Sequence, residues 1–354
     1  MTRTLLVMGG GTGGHVFPGL AVAGLLRERG WKVVWMGNPD SFEACAVPAR
    51  GYEMAWIRFA ALRGKGLMRK LMLPFNLLSG FWQALRAICR VKPDVVLGMG
   101  GYVSFPGGMM AALLGRPLLI HEQNSVAGLA NRVLAKVADR VFCGFPDALP
   151  KSRWVGNPVL PEIAALPAPA ARLANRDAAR LNLLVLGGSL GAAAINEIVP
   201  KGLALIPEAE RPAVLHQAGE KHLATLTANY AAAGVYADCA AFIKDMAGAY
   251  AWADLVLCRA GASTIAELAA AGVASALVPF PHAVDDHQSV NAKFLVAAGG
   301  AFLMPQDEMT PESVARLAKL PREDLLRMAE RARALAKPEA AAALARACEE
   351  MVKT

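Results

Sequence analysis

Residues 5–19 read LLVMGGGTGGHVFPG, an apolar run that breaks into glycines and then meets a histidine and a proline. Leu5–Met8 has the length of a buried strand, and Gly19–Arg29 reads as a helix closed by Gly30. A glycine turn between strand and helix lets the backbone approach an anion at the helix N-terminus, and Pro18 suits a first helical turn. Gly9, Gly11 and Gly14 fit the G-x-G-x-x-G spacing of a dinucleotide turn, but that reading also requires an acid at the end of the second strand. The second strand, KVVWMGN, ends in Met36–Gly37–Asn38, with Asp40 late and Glu28 on the preceding helix. A nicotinamide oxidoreductase therefore ranks last among the readings.

The same strand–glycine–helix unit echoes along the chain. TLLVM, KVVWMG, DVVLGMG and PLLIHEQN alternate with helical patterns, and RVFCGFP and SRWVGNP close the first series. Pro161–Arg180 is rich in Ala and Pro and is expected to contain an exposed interdomain link. A second series runs through LNLLVLGGSLGAAAIN, AVLHQAG, AAFIKDM, ADLVLCRAGAS and ASALVPFP, and the pattern is helical from Thr310. The expected class is α/β: two Rossmann-like doubly wound parallel-sheet domains, with a ligand in the cleft at the strands' carboxyl ends.

The chain of 354 residues is too long for one ordinary core. Its net charge of +8 favours anionic partners such as phosphates or acidic membrane surfaces. Nucleic acid is set aside, because the basic residues do not interleave with an aromatic platform. The six cysteines form no C-x-x-C pair and read as reduced thiols of a cytosolic protein. The first apolar run is too short for a signal-peptide core, and no stretch is long enough for a spanning helix.

GGGTGGHVFPGLAVA, GMGGYVSFPGG, HEQNSVAGLANR, GNPV, GGSLGA, CRAGASTIAELAAAG and PFPHAVDDHQSVNA occur together, in this order. Between Leu5 and about Leu295 the chain resembles the MurG family of peptidoglycan N-acetylglucosaminyltransferases, which convert lipid I to lipid II. The resemblance implies a GT-B fold and an inverting transfer of N-acetylglucosamine from its UDP donor to the C4 hydroxyl of a lipid-linked N-acetylmuramoyl pentapeptide. It implies no cofactor and no metal. By analogy with that fold, residues 1–160, joined by a C-terminal helix over 338–354, form the acceptor domain, and 161–337 the donor domain.

The reaction needs a gripped nucleoside, a stabilised leaving group and a base for the acceptor hydroxyl. His15, beside the first glycine loop, is the base candidate; as a bland alternative it is a capping residue. Glu122 rivals it by chemistry alone. Thr12, Gly13, Gly14 and Asn124 line the same side by resemblance. Thr264-x-x-Glu267 reads as a capping box, whereas the resemblance makes Glu267 an acceptor for the ribose hydroxyls. Ala262, Ser263, Thr264, Ile265 and Ala266 then line the nucleotide. Ile243, a strand-core residue by pattern, matches the position whose backbone pairs with uracil. Ser189 is either a helix cap or a diphosphate donor, and Gln288 reads the sugar, with Asp285 or Asp286 as the cap before it. The family's usual basic residue after GNPV is here Leu160, and no phosphate-binding arginine is claimed.

A lipid acceptor also requires contact with the bilayer. Leu67, Met68, Leu71, Met72 and Phe75 fall on one helical stripe, with Lys65, Arg69 and Lys70 beside them. An apolar face rimmed by cations suits interfacial binding, and equally suits a core-facing helix; the family's substrate favours the former. The implied partners are UDP-N-acetylglucosamine, the undecaprenyl-linked acceptor and an anionic membrane surface, with cell-wall assembly proteins as further partners. The implied location is peripheral, on the cytoplasmic face of the inner membrane. The competing readings are a UDP-N-acetylglucosamine 2-epimerase and a non-catalytic nucleotide-sugar scaffold, which need neither the interfacial stretch nor the full residue set.

Overall fold

The computed structural model describes residues 2–59, 73–174, 176, 180–188, 191–283 and 286–352. Two compact units emerge: 1–160 with 337–354, and 161–336.

Unit 1 carries seven parallel strands: β1 (Thr4–Met8), β2 (Lys32–Gly37), β3 (Glu53–Trp56), β4 (Val95–Gly98), β5 (Leu118–Glu122), β6 (Arg140–Cys143) and β7 (Arg153–Trp154). Their order is β3-β2-β1-β4-β5-β6-β7, so the chain runs outward from β1 in one direction, returns, and runs outward in the other. The glycine loop after β1 sits at that reversal, where a doubly wound sheet offers its crevice. β3 was not foreseen: its four residues, EMAW, carry little periodicity. The central strands are buried on both faces, which accounts for their unbroken apolar runs.

The first helix spans Gly13–Glu28, six residues earlier than its apolar pattern suggested. Gly13 and Gly14 are poor helix formers, but the amides of His15 and Val16 both reach the carbonyl of Thr12 and tighten the first turn. Pro18 therefore lies beyond that turn, inside the helix, where its ring removes the N–H the ladder would direct at Gly14. The helix Ala340–Val352 packs Leu344, Ala345, Cys348 and Met351 into the same core as Val16, Leu20 and Trp35. Arg29–Glu349 and Arg140–Glu350 ion pairs tie its outer face to unit 1.

Unit 2 repeats the plan with six parallel strands: β8 (Asn182–Leu186), β9 (Ala213–Gln217), β10 (Asp238–Ala240), β11 (Leu255–Cys258), β12 (Ala274–Leu277) and β13 (Ala301–Leu303), ordered β10-β9-β8-β11-β12-β13. The stretch after Leu160 is not a loose link. Residues 161–164 and 169–173 form two short helices, and Ile163 is buried. Arg172 donates to the carbonyls of Ala271 and Gly272, and Arg176 pairs with the buried carboxylate of Asp254. Guanidinium groups that satisfy the last carbonyls of a helix dock this Ala/Pro-rich segment in spite of its composition.

Candidate functional site

In unit 1, Gly13, Gly14 and His15 form the first turn of the Gly13–Glu28 helix, with Thr12 at its N-cap. The Thr12 side chain makes no capping bond; its hydroxyl lies 3.3 Å from Nδ1 of His15. The same Nδ1 lies 3.0 Å from the carbonyl oxygen of Gly10. A carbonyl only accepts, so Nδ1 carries the proton and, in the neutral ring, Nε2 holds the lone pair. His15 is thus an oriented imidazole within the first helical turn and not a cap.

The GMGG stretch makes room for that ring. Gly100 and Gly101 have φ of +85° and +81°, which an L side chain rarely adopts. A Cβ on Gly100 would come within 2.9 Å of the His15 ring, and one on Gly101 within 2.3 Å of the Gly10 carbonyl oxygen. Ser104, fully buried, donates at bonding distance to the carbonyls of Gly100 and Met8, tying this loop to the end of β1.

Two further groups were not legible in the sequence. Glu43, fully buried just after β2, accepts the N–H of Gly11 at 2.9 Å and of Asn38 at 3.0 Å. Trp35, also buried, donates its indole N–H to Gly9. Both act on the glycine loop from the neighbouring strand, and sequence spacing carries no sign of that.

Glu122 loses its claim as a rival base. Its oxygens accept from the amides of Asn124 and Gly128 and from the side chain of Asn131, and the residue is buried. That carboxylate holds the turn that presents Asn124, which is itself part-exposed. His121, equally buried, donates from Nε2 to Gly156, and burial pushes its pKa down to about 4. Much of the HEQN motif is therefore scaffold beneath one presented amide.

In unit 2, the helix Ala262–Ala271 takes Gly261 as its N-cap, so Thr264 is its third residue and not its cap. The capping-box reading of Glu267 fails for that reason. The carboxylate instead accepts the Tyr250 hydroxyl at 2.9 Å, and burial among apolar neighbours raises its pKa to about 7. Residues 262–266 form the opening turns of this helix, the end that offers N–H groups and positive dipole to an anion.

Ile243 lies beyond β10, in a loop, which corrects its assignment to a strand. Its N–H donates to Oε1 of Gln217 at 2.9 Å, and Nε2 of Gln217 donates to the carbonyl of Gly188 at 3.2 Å. One buried amide thus links the loop at Ile243 to the glycine loop after β8. Ser189, in that loop, lies outside the described residues.

Gln288 sits in the first turn of the helix His287–Ala297, and its Oε1 accepts the N–H of Phe280. Asp286 occupies the N-cap position with φ +48°, but its carboxylate accepts the hydroxyl of Ser289 and caps no amide; Asp285 lies outside the described residues. Arg259 donates to the carbonyls of Val278 and Pro279 and to Gln306, and stacks over Phe280. The Arg259 guanidinium is thereby committed to shaping the loop that Gln288 also holds. Leu160, where a cation was expected, is a half-buried apolar residue.

Of the proposed membrane stripe, Leu67, Met68, Leu71, Met72, Lys65, Arg69 and Lys70 lie outside the described residues. Phe75 is 73% exposed on the helix Leu73–Val91, followed on the same helix by Leu78 at 68% and Trp82 at 60%. The spacing of 75, 78 and 82 places all three on one face; the candidate interfacial stretch, residues 63–82, contains Leu78 and Trp82, though its named stripe stops at Phe75. Among the described residues no helix is long and apolar enough to cross a membrane.

Comparison with known proteins places the chain in a family. The N-terminal domain model of glycosyltransferase family 28 matches residues 5–143, and the C-terminal domain model of the same family matches 182–346. A Dechloromonas aromatica protein is 66% identical over 353 residues, covering 100% of both chains. One from Azoarcus sp. is 67% identical over 352 residues, covering 99% of each. Both are named UDP-N-acetylglucosamine--N-acetylmuramyl-(pentapeptide) pyrophosphoryl-undecaprenol N-acetylglucosamine transferase. The crystal structure of Acinetobacter baumannii MurG superposes with a TM-score of 0.84 at 40% identity, over 98% of this chain and 99% of that one. A kitacinnamycin glycosyltransferase, at 19% identity and a TM-score of 0.67, shares the fold.

Proposed function

The chain belongs to glycosyltransferase family 28, and we propose that it transfers N-acetylglucosamine from UDP-N-acetylglucosamine to the C4 hydroxyl of undecaprenyl-diphospho-N-acetylmuramoyl-pentapeptide. The observation that carries this reading is the His15 ring: Nδ1 is engaged on Gly10, so its basic nitrogen is Nε2. Nε2 takes the proton of the acceptor hydroxyl while that oxygen attacks the anomeric carbon and the bond to UDP breaks, with inversion. Asn124, presented by Glu122, and the Thr12–Gly14 turn line the acceptor side.

The donor side belongs to unit 2. Glu267 receives the ribose hydroxyls, and the loop at Ile243 faces the base. The Phe280 amide occupies Oε1 of Gln288, so the –NH₂ of Gln288 is the end that meets the sugar. With Leu160 apolar and Arg259 committed to carbonyls, the diphosphate relies on the glycine loop holding Ser189 and on the opening turns of the Ala262–Ala271 helix, through N–H groups and dipole. The exposed stripe of Phe75, Leu78 and Trp82 supports a peripheral seat on an anionic membrane, with Lys65, Arg69 and Lys70 preceding it in sequence.

The test is transfer of labelled sugar from UDP-N-acetylglucosamine to a lipid I analogue, with EDTA present. Label is expected in the lipid phase, with kcat lower by about 10²- to 10⁴-fold in His15→Ala and UDP affinity unchanged. Tight UDP binding with all label left in water would sink the assignment.

A further inference from the structure

Glu43 poses a problem that the fold alone does not solve. It is fully buried, and its recorded donors are two backbone N–H groups, with no ion-pair partner among the described residues. Burying a carboxylate in this way is costly, and a neutral acceptor would satisfy the same amides at lower cost. The geometry around it supplies a reason. The N–H of Gly11 and the carbonyl of Gly10 belong to a single peptide unit. The N–H donates to Glu43 Oε2 at 2.9 Å, and the carbonyl, on the opposite edge, accepts Nδ1–H of His15 at 3.0 Å. A Cβ on Gly10 would fall 2.3 Å from Glu43 Oε1, so the carboxylate lies directly against this unit.

We propose that Glu43 is a positioning residue for His15, acting through the Gly10–Gly11 peptide. Hydrogen bonds in series polarise one another, so a carboxylate on the N–H makes the carbonyl oxygen a stronger acceptor for Nδ1–H. That fixes the tautomer and stabilises the imidazolium formed when Nε2 takes the acceptor proton. No proton crosses the peptide. The Thr12 hydroxyl also lies 3.3 Å from Nδ1 of the ring. This inference rests on the reading of His15 as the base.

The experiment is a double-mutant cycle in the lipid I transfer assay: wild type, His15→Ala, Glu43→Gln and the double variant, each across pH. Glu43→Gln is expected to lower kcat about 10-fold with KM for UDP-N-acetylglucosamine unchanged. Loss of the negative charge lowers the imidazole pKa, so the acid limb of its kcat/KM profile moves to lower pH, by roughly half a unit. In the His15→Ala background, Glu43→Gln costs nothing further. Additive losses, or an acid limb that stays in place, overturn the relay while leaving His15 as the base. A His15→Ala variant with wild-type kcat removes the base reading itself. Should Glu43→Gln not fold, ¹⁵N NMR of the wild-type His15 ring decides: Nδ1–H supports the relay, and Nε2–H overturns it.

Discussion

The glycine loop at the end of β1 is braced by a carboxylate, and its counterpart at the end of β8 is braced by an amide. In both units the brace comes from the segment at or after the neighbouring strand: Glu43 opens the short helix that follows β2, and Gln217 ends β9. The two braces do the same mechanical work on main-chain groups. They differ in charge, and the proposed ligands explain why. On the proposed reading the first loop carries a base that becomes cationic as it works, which a buried negative charge favours. On the same reading the second loop faces a diphosphate, which a carboxylate at that place would repel.

The comparison breaks most readily at Gly101. Gly101→Ala would force a Cβ against the Gly10 carbonyl at positive φ, and is expected to destabilise unit 1 by about 3 kcal/mol. A thermal melt that matches wild type would show that the loop is less tightly made than the geometry implies. Gln217→Glu tests the charge argument directly: the carboxylate cannot donate to Gly188 and sets a negative charge near the diphosphate. UDP affinity should fall about 30-fold, near 2 kcal/mol, with acceptor KM unchanged; calorimetry showing equal UDP binding would mean that charge does not separate the two braces.

The smallest effect concerns Glu267, whose carboxylate accepts the Tyr250 hydroxyl. Its folded pKa of about 7 lies above the ordinary carboxylate value of 4.5. The folded form therefore keeps its proton while the unfolded chain loses it, and stability contributed by this group falls as pH rises from 4.5 to 7. Glu267→Gln should abolish that loss and melt higher than wild type above pH 7, by on the order of 1 kcal/mol after allowance for solvent access. Weaker donor binding in the same variant would mark the carboxylate as one retained for the ribose.

Much of this protein was legible as sequence because it repeats short-range rules. Parallel strands buried on both faces announce themselves as apolar runs, and strand–glycine–helix junctions announce their loops, so β1, β2, β4–β9, β11 and β12 could be marked before any coordinates. β3 and β13 could not, being short edge strands with little pattern. Thr264-x-x-Glu267 shows the opposite failure. It has the spacing of a capping box, but the helix takes its N-cap three residues earlier, at Gly261, and Tyr250 claims the carboxylate. Glu122 read as reactive because carboxylates often are, until four donors were found around it.

The chain's own sequence determined the α/β class, the positions of the glycine turns and the residues that stand at their ends, since these follow from periodicity and from the conformational freedom of glycine. Only the tertiary structure decided what each polar group does. Whether a carboxylate works as a base, a brace or a ribose acceptor depends on the donors that reach it across strands, and on whether water does. Glu43 reaches Gly11 across 32 residues and Gln217 reaches Ile243 across 26, and no local spacing encodes such a meeting.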